Sequence, residues 1–171
     1  MERIIRLRRV ALLCRHFVRN LAYHRVGIPL IKKSSSQFCV TAAGNFIDIA
    51  IMEWSKLFSD KSARHHWRNI VDDASKFEEA LLTHLHMSPD EMELYEKTIK
   101  LYRDKFIAHL DDELVAEIPD LDIAYEAVNF LCRHMAESAP SIFPAELKPI
   151  YDRHVSEGEK AYECLKTTGL L

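Results

Sequence analysis

The sequence predicts an all-α protein, a bundle of about five to six helices forming a single domain over residues 1–171. Only 4 glycines and 6 prolines occur in 171 residues, which is too few for a turn-rich β architecture. Hydrophobic residues make up 48% of the chain and charged residues 29%, as is typical of a globular domain that buries a core. Apolar residues also recur at spacings of three and four, the period of an amphipathic helix.

The first helix is expected over about residues 2 to 25, because apolar residues form one stripe there. The members of this stripe are Ile4, Leu7, Ala11, Cys14, Val18 and Leu21. Another stripe of the same helix carries Arg8, Arg15 and Arg19. The segment VGIPLIKKSSSQ then predicts a loop, since Gly27, Pro29 and three serines break helices or cap them.

The second and third helices are expected at about residues 38 to 58 and 66 to 85. The second is apolar on nearly every face, so it should be central and buried, and its polar side chains should have partners. Its largest groups include Phe46, Ile49, Trp54 and Leu57, and its polar side chains include Asn45, Asp48 and Glu53. The third helix is amphipathic, with inward residues Trp67, Ile70, Val71, Ala74, Phe77 and Leu81.

The fourth helix has the clearest start in the chain. Ser88 supplies the N-cap, Pro89 the first helical position and Glu91 the third, which together form a capping box. The helix should continue through Tyr102 and fray near His109, because two aspartates and then a proline follow.

Two further helices are expected in the last third of the chain. Asp120 can cap a fifth helix that ends at about residue 137, with Ala124, Val128, Leu131 and Met135 inward. A sixth helix should run from about residue 146 to 166 and end before Gly169.

Charge is unevenly distributed, although the net charge is only −3. Residues 1 to 33 contain nine Lys or Arg and one Glu, whereas residues 72 to 126 contain sixteen acids and five bases. Such asymmetry can indicate a nucleic-acid surface on the basic part. Two oppositely charged helices that pack together would give the same charge counts. This plainer interpretation is the preferred one.

The cysteines and the apolar segments predict a cytoplasmic protein with no membrane partner. The 4 cysteines form no CxxC pair, so they are expected to be reduced thiols: Cys14, Cys39, Cys132 and Cys164. Arginines recur through the N-terminus and no small-residue cleavage site follows, so a signal peptide is not expected. The most apolar stretch, residues 38 to 52, is too short to cross a bilayer.

Nine histidines raise the question of a metal site, but their spacings fit none. His65 and His66 diverge on a helix, and His84 and His86 would point about 160° apart. There is no HExxH pair, no glycine-rich phosphate loop and no GxSxG. Neither a metal nor another cofactor is therefore expected.

The segment YRDKFIAHLDD, residues 102 to 112, places Arg103 and His109 six positions apart near the end of the fourth helix. Histidine can take the proton of an RNA 2′-hydroxyl near neutral pH. Arginine can hold phosphate oxygens in two parallel hydrogen bonds and stabilise the charge of the transition state. Six positions of an α-helix give about 9 Å of rise and about 120° of rotation. The side chains therefore converge only if the helix loosens or a second subunit completes the site.

Arg103, the polar Asp104 and His109 resemble the Arg-polar-x(n)-His motif of the HEPN superfamily, named for higher-eukaryote and prokaryote nucleotide-binding domains. The flanking segments EWSKLF and HHWRNIVDD are similar to those of the AbiU-type branch, which is associated with abortive infection. The resemblance covers approximately residues 10 to 160. It implies a HEPN-like bundle that dimerises so that two motifs line one cleft and, in many members, a metal-independent endoribonuclease.

Carried onto this chain, the resemblance implies that His109 transfers the proton, Arg103 clamps the phosphate and Asp104 orients one of them. It also implies single-stranded RNA as the substrate, a homodimer, and an antitoxin protein as a partner in phage defence or a toxin-antitoxin setting. The first-helix arginines would add RNA affinity through Arg8, Arg15 and Arg19. Some HEPN toxins carry a modified tyrosine two residues after the histidine, but here Leu110 and Asp111 follow, so that control is not expected.

A second function class stays open, a non-catalytic HEPN helical module that binds RNA, nucleotide or a protein partner. In such a module Arg103 would pair with Glu96 or Asp104, and His109 would cap helix carbonyls. The first-helix arginines would then be a solvated face. Two acids of the second helix would either support the site or be paired for structural reasons, namely Asp48 and Glu53.

Overall fold

The structure, a computed structural model, describes residues 2–31, 36–108, 118–167 and 169. Within these ranges it contains six α-helices and no strand, which confirms the predicted all-α class. The helices are α1 (Glu2–Ile31), α2 (Gln37–Leu57), α3 (Ala74–Leu85), α4 (Pro89–Tyr102), α5 (Asp122–Ser138) and α6 (Lys148–Thr167). A 3₁₀ turn (Trp67–Asn69) precedes α3, and a π-helical segment (Arg103–Ala108) follows α4. No helix in the described ranges is long and apolar enough to cross a membrane.

The bundle is assembled around α1, which packs along α2 and α6 and also contacts α5. Its buried side includes five residues with 0% exposure, Val10, Cys14, Phe17, Val18 and Ala22. This side matches the apolar stripe expected from the sequence, except that Ile4 at its start is 46% exposed. Burial of each large apolar side chain contributes about 1.5–3 kcal/mol to folding, so the stripe fixes the position of α1.

α1 continues past residue 25 to Ile31, so the loop predicted there was wrong for residues 26 to 31. Gly27 lies where α1 meets α2 and α6, and a Cβ there would be 2.5 Å from Tyr162 Oη and 3.2 Å from Ala43 Cβ. Glycine therefore allows the three helices to approach closely. Pro29 is tolerated near the end of the helix, where its missing N–H affects one intrahelical bond only.

One side of α2 is exposed, so the expectation that this helix is buried on nearly every face was wrong. Its buried side includes Trp54 and Leu57, as expected. On the other side, Phe38, Val40, Ile49 and Met52 are 73%, 40%, 41% and 39% exposed. The helix packs mainly against α1, α4 and the π-helical segment, which cover the buried side.

The third helix begins later than expected, because residues 67 to 69 form a 3₁₀ turn and α3 starts at Ala74. His66 fixes the turn, since its Nε2 donates to the Phe58 carbonyl at 2.7 Å and its Nδ1 accepts from Arg68 N at 3.3 Å. Asp73 then caps α3 by accepting from Lys76 N at 3.1 Å. Trp67 and Ile70 are nevertheless buried as predicted.

α4 begins at the predicted residue but ends at Tyr102, where the π-helical segment replaces the α-helix predicted to reach about residue 109, whereas α5 and α6 begin and end close to the predicted positions. At the start of α4, Ser88 Oγ accepts from Glu91 N at 3.3 Å, and Glu91 Oε2 accepts from Ser88 N at 2.7 Å. Asp120 accepts from Asp122 N at 2.9 Å at the start of α5. The four residues of α5 predicted to face inward are buried: Ala124, Val128, Leu131 and Met135.

Candidate functional site

The candidate motif begins at the junction between α4 and the π-helical segment. Tyr102 is the last residue of α4, and Arg103 is the first residue of the π-helix. A π-helix bonds each N–H to a carbonyl five residues back, so its turn is one residue wider than an α turn, and such turns occur frequently at functional sites. Because α2 packs against both α4 and this segment, three elements together position Arg103.

Arg103 is oriented by the residue that follows it. Its Nε and Nη2 both donate to Asp104 Oδ1, at 2.9 and 2.7 Å. The side chain of Arg103 is 25% exposed and that of Asp104 is 45% exposed, so the pair lies at the surface without being fully solvated. The sequence left two ion-pair partners open for Arg103, namely Glu96 and Asp104. In the structure Arg103 pairs with Asp104.

His109, the candidate proton-transfer residue, lies outside the described residues, as do Leu110 and Asp111. The π-helical geometry of residues 103 to 108 can be compared with the α-helical geometry that the sequence predicted for the motif. A π-helix rotates each residue by about 80°, so six positions in it would again separate two side chains by about 120°. A loosened helix of this kind does not by itself bring positions 103 and 109 to one face.

A cleft of about 430 Å³ opens between α4 and the loop that follows α2. Arg103 lines this cleft together with four residues of α4, which are Glu93, Glu96, Lys97 and Lys100. Positions three and four apart share one face of a helix, so these side chains form a single wall. The loop residues 59 to 62 form the opposite wall. The volume lies within the range of about 300–1,000 Å³ that is usual for ligand sites.

The cleft holds exposed basic groups on both of its walls. Lys61 and Lys100 are exposed, and neither forms an ion pair with any described residue. Lys97 differs from them, because its Nζ is 2.7 Å from Glu93 Oε1. These lysines were not among the candidates predicted from the sequence. The spacing of three between positions 97, 100 and 103 was the available signal, but nothing local in the sequence places Lys61 beside them.

Glu96 adds a carboxylate with a shifted titration to the same cleft. It is half-buried and forms no ion pair within the described residues. Burial raises the pKa of its carboxyl above the ordinary value, and repulsion from Glu78 and Glu93 adds to the rise. Attraction to Lys61 and Arg68 lowers the pKa, but it does not outweigh burial. Glu96 therefore loses its negative charge at a higher pH than an ordinary glutamate.

Asp48 of α2 contacts the residue that precedes the candidate motif. Tyr102 Oη, one residue before the motif arginine, donates to Asp48 Oδ1 at 3.3 Å. Burial raises the pKa of Asp48, whereas the hydrogen bond from Tyr102 and the charge of His24 lower it. Burial also raises the pKa of Tyr102 to about 12, so this tyrosine remains a donor at neutral pH. Glu53, the second acid of α2, instead pairs with Lys56 at 3.0 Å.

The three α1 arginines expected to contact RNA do not line the cleft. Arg8 and Arg15 are exposed and line a separate groove of about 360 Å³ with Leu12 and residues 141 and 142. Arg19 is half-buried. None of the three arginines forms an ion pair with a described residue, so their charges are not needed to hold the bundle together.

Other arginines of α1 pair with acids from distant parts of the chain. Arg3 Nη2 lies 2.6 Å from Asp72 Oδ1, and Arg25 pairs with Asp122. Arg25 also lies over the ring of Tyr151, with its guanidinium carbon 5.9 Å from the ring centroid. Packing of opposite charges, the plainer interpretation of the charge asymmetry, thus accounts for these two arginines.

Two of the histidines have structural partners. His24 is buried, and its Nδ1 donates to the Ala43 carbonyl at 2.9 Å. His66 is also buried and donates to the Phe58 carbonyl. Burial lowers the pKa of both imidazoles, which favours their neutral forms. Among the residues that the structure describes, no group of three His, Cys, Asp or Glu side chains could hold a metal ion.

No protein-family model, no curated protein and no solved structure matches this chain.

Proposed function

We propose that this protein is a metal-independent endoribonuclease of the HEPN type that acts on single-stranded RNA as a homodimer. One observation carries the proposal, namely that Asp104 holds the Arg103 guanidinium in two hydrogen bonds at a cleft where Lys61 and Lys100 form no ion pair with a described residue. A guanidinium that is already oriented loses little conformational entropy when it binds phosphate. A role in phage defence or a toxin-antitoxin pair, with an antitoxin protein as partner, belongs to the same proposal.

In the proposed reaction His109 takes the proton of the RNA 2′-hydroxyl, and the 2′-oxygen attacks the neighbouring phosphorus. Arg103 donates hydrogen bonds to the non-bridging oxygens as negative charge grows on them. The bond to the 5′-oxygen breaks, and this oxygen leaves as a hydroxyl after it receives a proton. The products are a 2′,3′-cyclic phosphate and a 5′-hydroxyl end.

A second subunit would complete this site, because a helical continuation from position 103, in either winding, would turn position 109 by about 120° away from it. The exposed apolar side of α2 is the proposed contact between subunits. Phe38, Ile49 and Met52 are 73%, 41% and 39% exposed on this helix, which also packs against the motif segment. Two-fold symmetry is the commonest way for one surface to meet its own copy.

Light scattering tests the dimer, with an expected mass of twice the 19.9 kDa of the chain. The double substitution Ile49→Lys and Met52→Lys should produce a monomer that no longer cuts RNA, because it places charge in an apolar contact. Leu12→Lys is the matched control, since Leu12 is 51% exposed on α1. A parent protein that is only monomeric at micromolar concentration contradicts the shared site.

Cleavage of single-stranded RNA in excess EDTA tests the function itself, with cyclic phosphate ends as the diagnostic product. Arg103→Ala and His109→Ala should each lower the rate at least about a hundredfold, as expected for loss of a charge-stabilising donor or a general base. Arg133→Ala and His134→Ala are matched controls on α5, outside the cleft. If both motif variants cut as fast as the parent, the activity does not come from this site.

A non-catalytic module that binds RNA, nucleotide or a protein partner is the second candidate. The same Arg103–Asp104 pair favours it, because an arginine with a purely structural role would also be paired within the chain. A parent protein that binds RNA or a nucleotide but releases no cyclic phosphate supports this candidate over the nuclease.

A further inference from the structure

We propose that the cleft between α4 and loop residues 59 to 62 binds successive phosphates of the RNA strand, with Lys61 and Lys100 as its main contacts. This inference rests on the proposed function, because it takes RNA as the ligand. It adds a binding surface made of residues outside the Arg-to-His motif.

The pairing of the lysines supports this assignment. Lys61 and Lys100 have no carboxylate within ion-pair distance among the described residues, so neither must break a salt bridge to receive a phosphate. Lys97 would first have to leave Glu93, which lies 2.7 Å away. Binding of phosphate to an unpaired lysine releases counterions and therefore adds a favourable, salt-dependent free energy.

The direction of the α4 wall supports an extended ligand. Lys97, Lys100 and Arg103 all line the cleft and follow one another at intervals of three residues, so that each step rises about 4.5 Å and turns about 60° around the helix. Their cations therefore spread over about 9 Å along the helix and about 120° around it, more than one phosphate group can contact. A strand that leads from Arg103 along this wall would place neighbouring phosphates beside Lys100.

The loop wall contributes charges of both signs from outside α4, those of Lys61 and Asp60. Lys61 faces α4 across the cleft and lies close enough to Glu96 to lower the pKa of that carboxyl.

The test measures binding of a ten-nucleotide single-stranded RNA in EDTA, by fluorescence anisotropy. The RNA carries 2′-O-methyl groups, so that attack by a 2′-oxygen cannot cut it. The double substitution Lys61→Gln and Lys100→Gln should weaken binding at least about tenfold at low salt. It should also reduce the slope of log affinity against log salt by about 1.4, since each phosphate contact to a single strand contributes about 0.7.

Lys148→Gln combined with Lys160→Gln is the matched control, because it removes the same charge from α6, outside the cleft. Circular dichroism of both double variants establishes that the helices are retained. Equal RNA affinity and equal salt slope in the parent and the cleft variant would overturn the inference. A cleft variant that loses affinity only for a mononucleotide or inorganic phosphate, measured in parallel, would overturn it as well.

The two proposals fail in distinguishable ways. Cyclic phosphate products that depend on Arg103, together with an unchanged RNA affinity in the lysine variant, would refute the cleft and keep the nuclease. Lysine-dependent binding without any cleavage of unmodified RNA would keep the cleft and refute the nuclease.

Discussion

Two surfaces of this protein carry basic side chains at helical spacing, and they differ in the elements that supply their cations. On α1, Arg8 and Arg15 line a groove of about 360 Å³ beside Leu12, and the residues of its other wall, Ser141 and Ile142, are uncharged. On α4, Lys100 and Arg103 face a second wall across a cleft of about 430 Å³. Lys61 adds a cation on that second wall, and cations on both sides of a cleft raise the positive potential at a bound phosphate. Equal cation counts therefore do not make equal phosphate sites.

The two surfaces also differ in how their cations are held. Arg103 is oriented by Asp104 through two hydrogen bonds, whereas Arg8 and Arg15 have no ion pair with any described residue. An exposed arginine keeps its rotamer freedom and must lose it on binding. We therefore expect α1 to add long-range attraction for RNA, and Arg103 to add a contact of defined geometry.

Charge reversal on each surface should give the largest difference between them. Replacing three basic residues by glutamate changes the charge by −6 in either case. The cleft variant replaces Lys61, Lys97 and Lys100, and it should weaken RNA binding at least about a hundredfold. The α1 variant replaces Arg8, Arg15 and Arg19, and it should weaken RNA binding by less than about tenfold. Anisotropy titrations at several salt concentrations measure both, and a larger loss in the α1 variant would invert the comparison.

Gly27→Ala tests α1 as a scaffold rather than as a binding surface. The new Cβ would be 2.5 Å from Tyr162 Oη and 3.2 Å from Ala43 Cβ. Overpacking of this kind costs about 1–3 kcal/mol, which should exceed the gain of about 1 kcal/mol in helix propensity. Urea unfolding should show a net loss of stability, while RNA affinity of the folded protein stays unchanged.

Tyr162→Phe provides the control for Gly27→Ala, because it removes the atom nearest to the new methyl group. The double variant should recover part of the stability lost in Gly27→Ala. Additive losses in the two single variants would show that this contact is not the source of the effect.

Glu96→Gln should have the smallest effect and the opposite sign, a gain of a few-fold in RNA affinity. The substitution removes a negative charge from the cleft, and this charge repels phosphate. Lys61 and Arg68 are the cations that attract the Glu96 carboxylate in the parent. Because burial raises the pKa of Glu96 above 4.5, parent affinity should rise as the pH falls towards that pKa, and this rise should be reduced in the variant. Glu78 and Glu93 also face this carboxyl, so their own substitution provides a check on the assignment.

The free energy of unfolding should also change with pH as Glu96 titrates. Between pH 4.5 and its raised pKa the folded protein binds more protons than the unfolded chain, so this group makes stability fall as the pH rises through that interval. Glu96→Gln should remove this contribution and should be at least as stable as the parent at neutral pH. Thermal unfolding of both proteins across this pH interval would detect the difference.

Features of the fold that depend on neighbouring residues were predictable from the sequence. The start of α4 was predicted because Ser88 and Glu91 bond to each other's backbone within a single turn. The inward faces of α1 and α5 were predictable for a similar reason, since apolar spacing alone decides which side of a helix avoids water.

Features that depend on contacts between elements were not predicted. The end of α1 was placed too early, because Gly27 is a close-packing position between helices and only the position of Tyr162 reveals it. The start of α3 was placed too early, because His66 bonds to the Phe58 carbonyl and holds a 3₁₀ turn. The exposure of Phe38 and Ile49 depends on which sides of α2 other helices cover.

The sequence by itself determined that the chain is helical, where α4 begins and which residue types of the motif suit phosphate chemistry. Only the tertiary structure decided that Arg103 pairs with Asp104 and that it borders a cleft with Lys61. The physical reason is the range of each interaction. Helix period and capping act within about one or two turns, whereas the cleft exists only because a loop after α2 lies against a face of α4 more than thirty residues later in the chain.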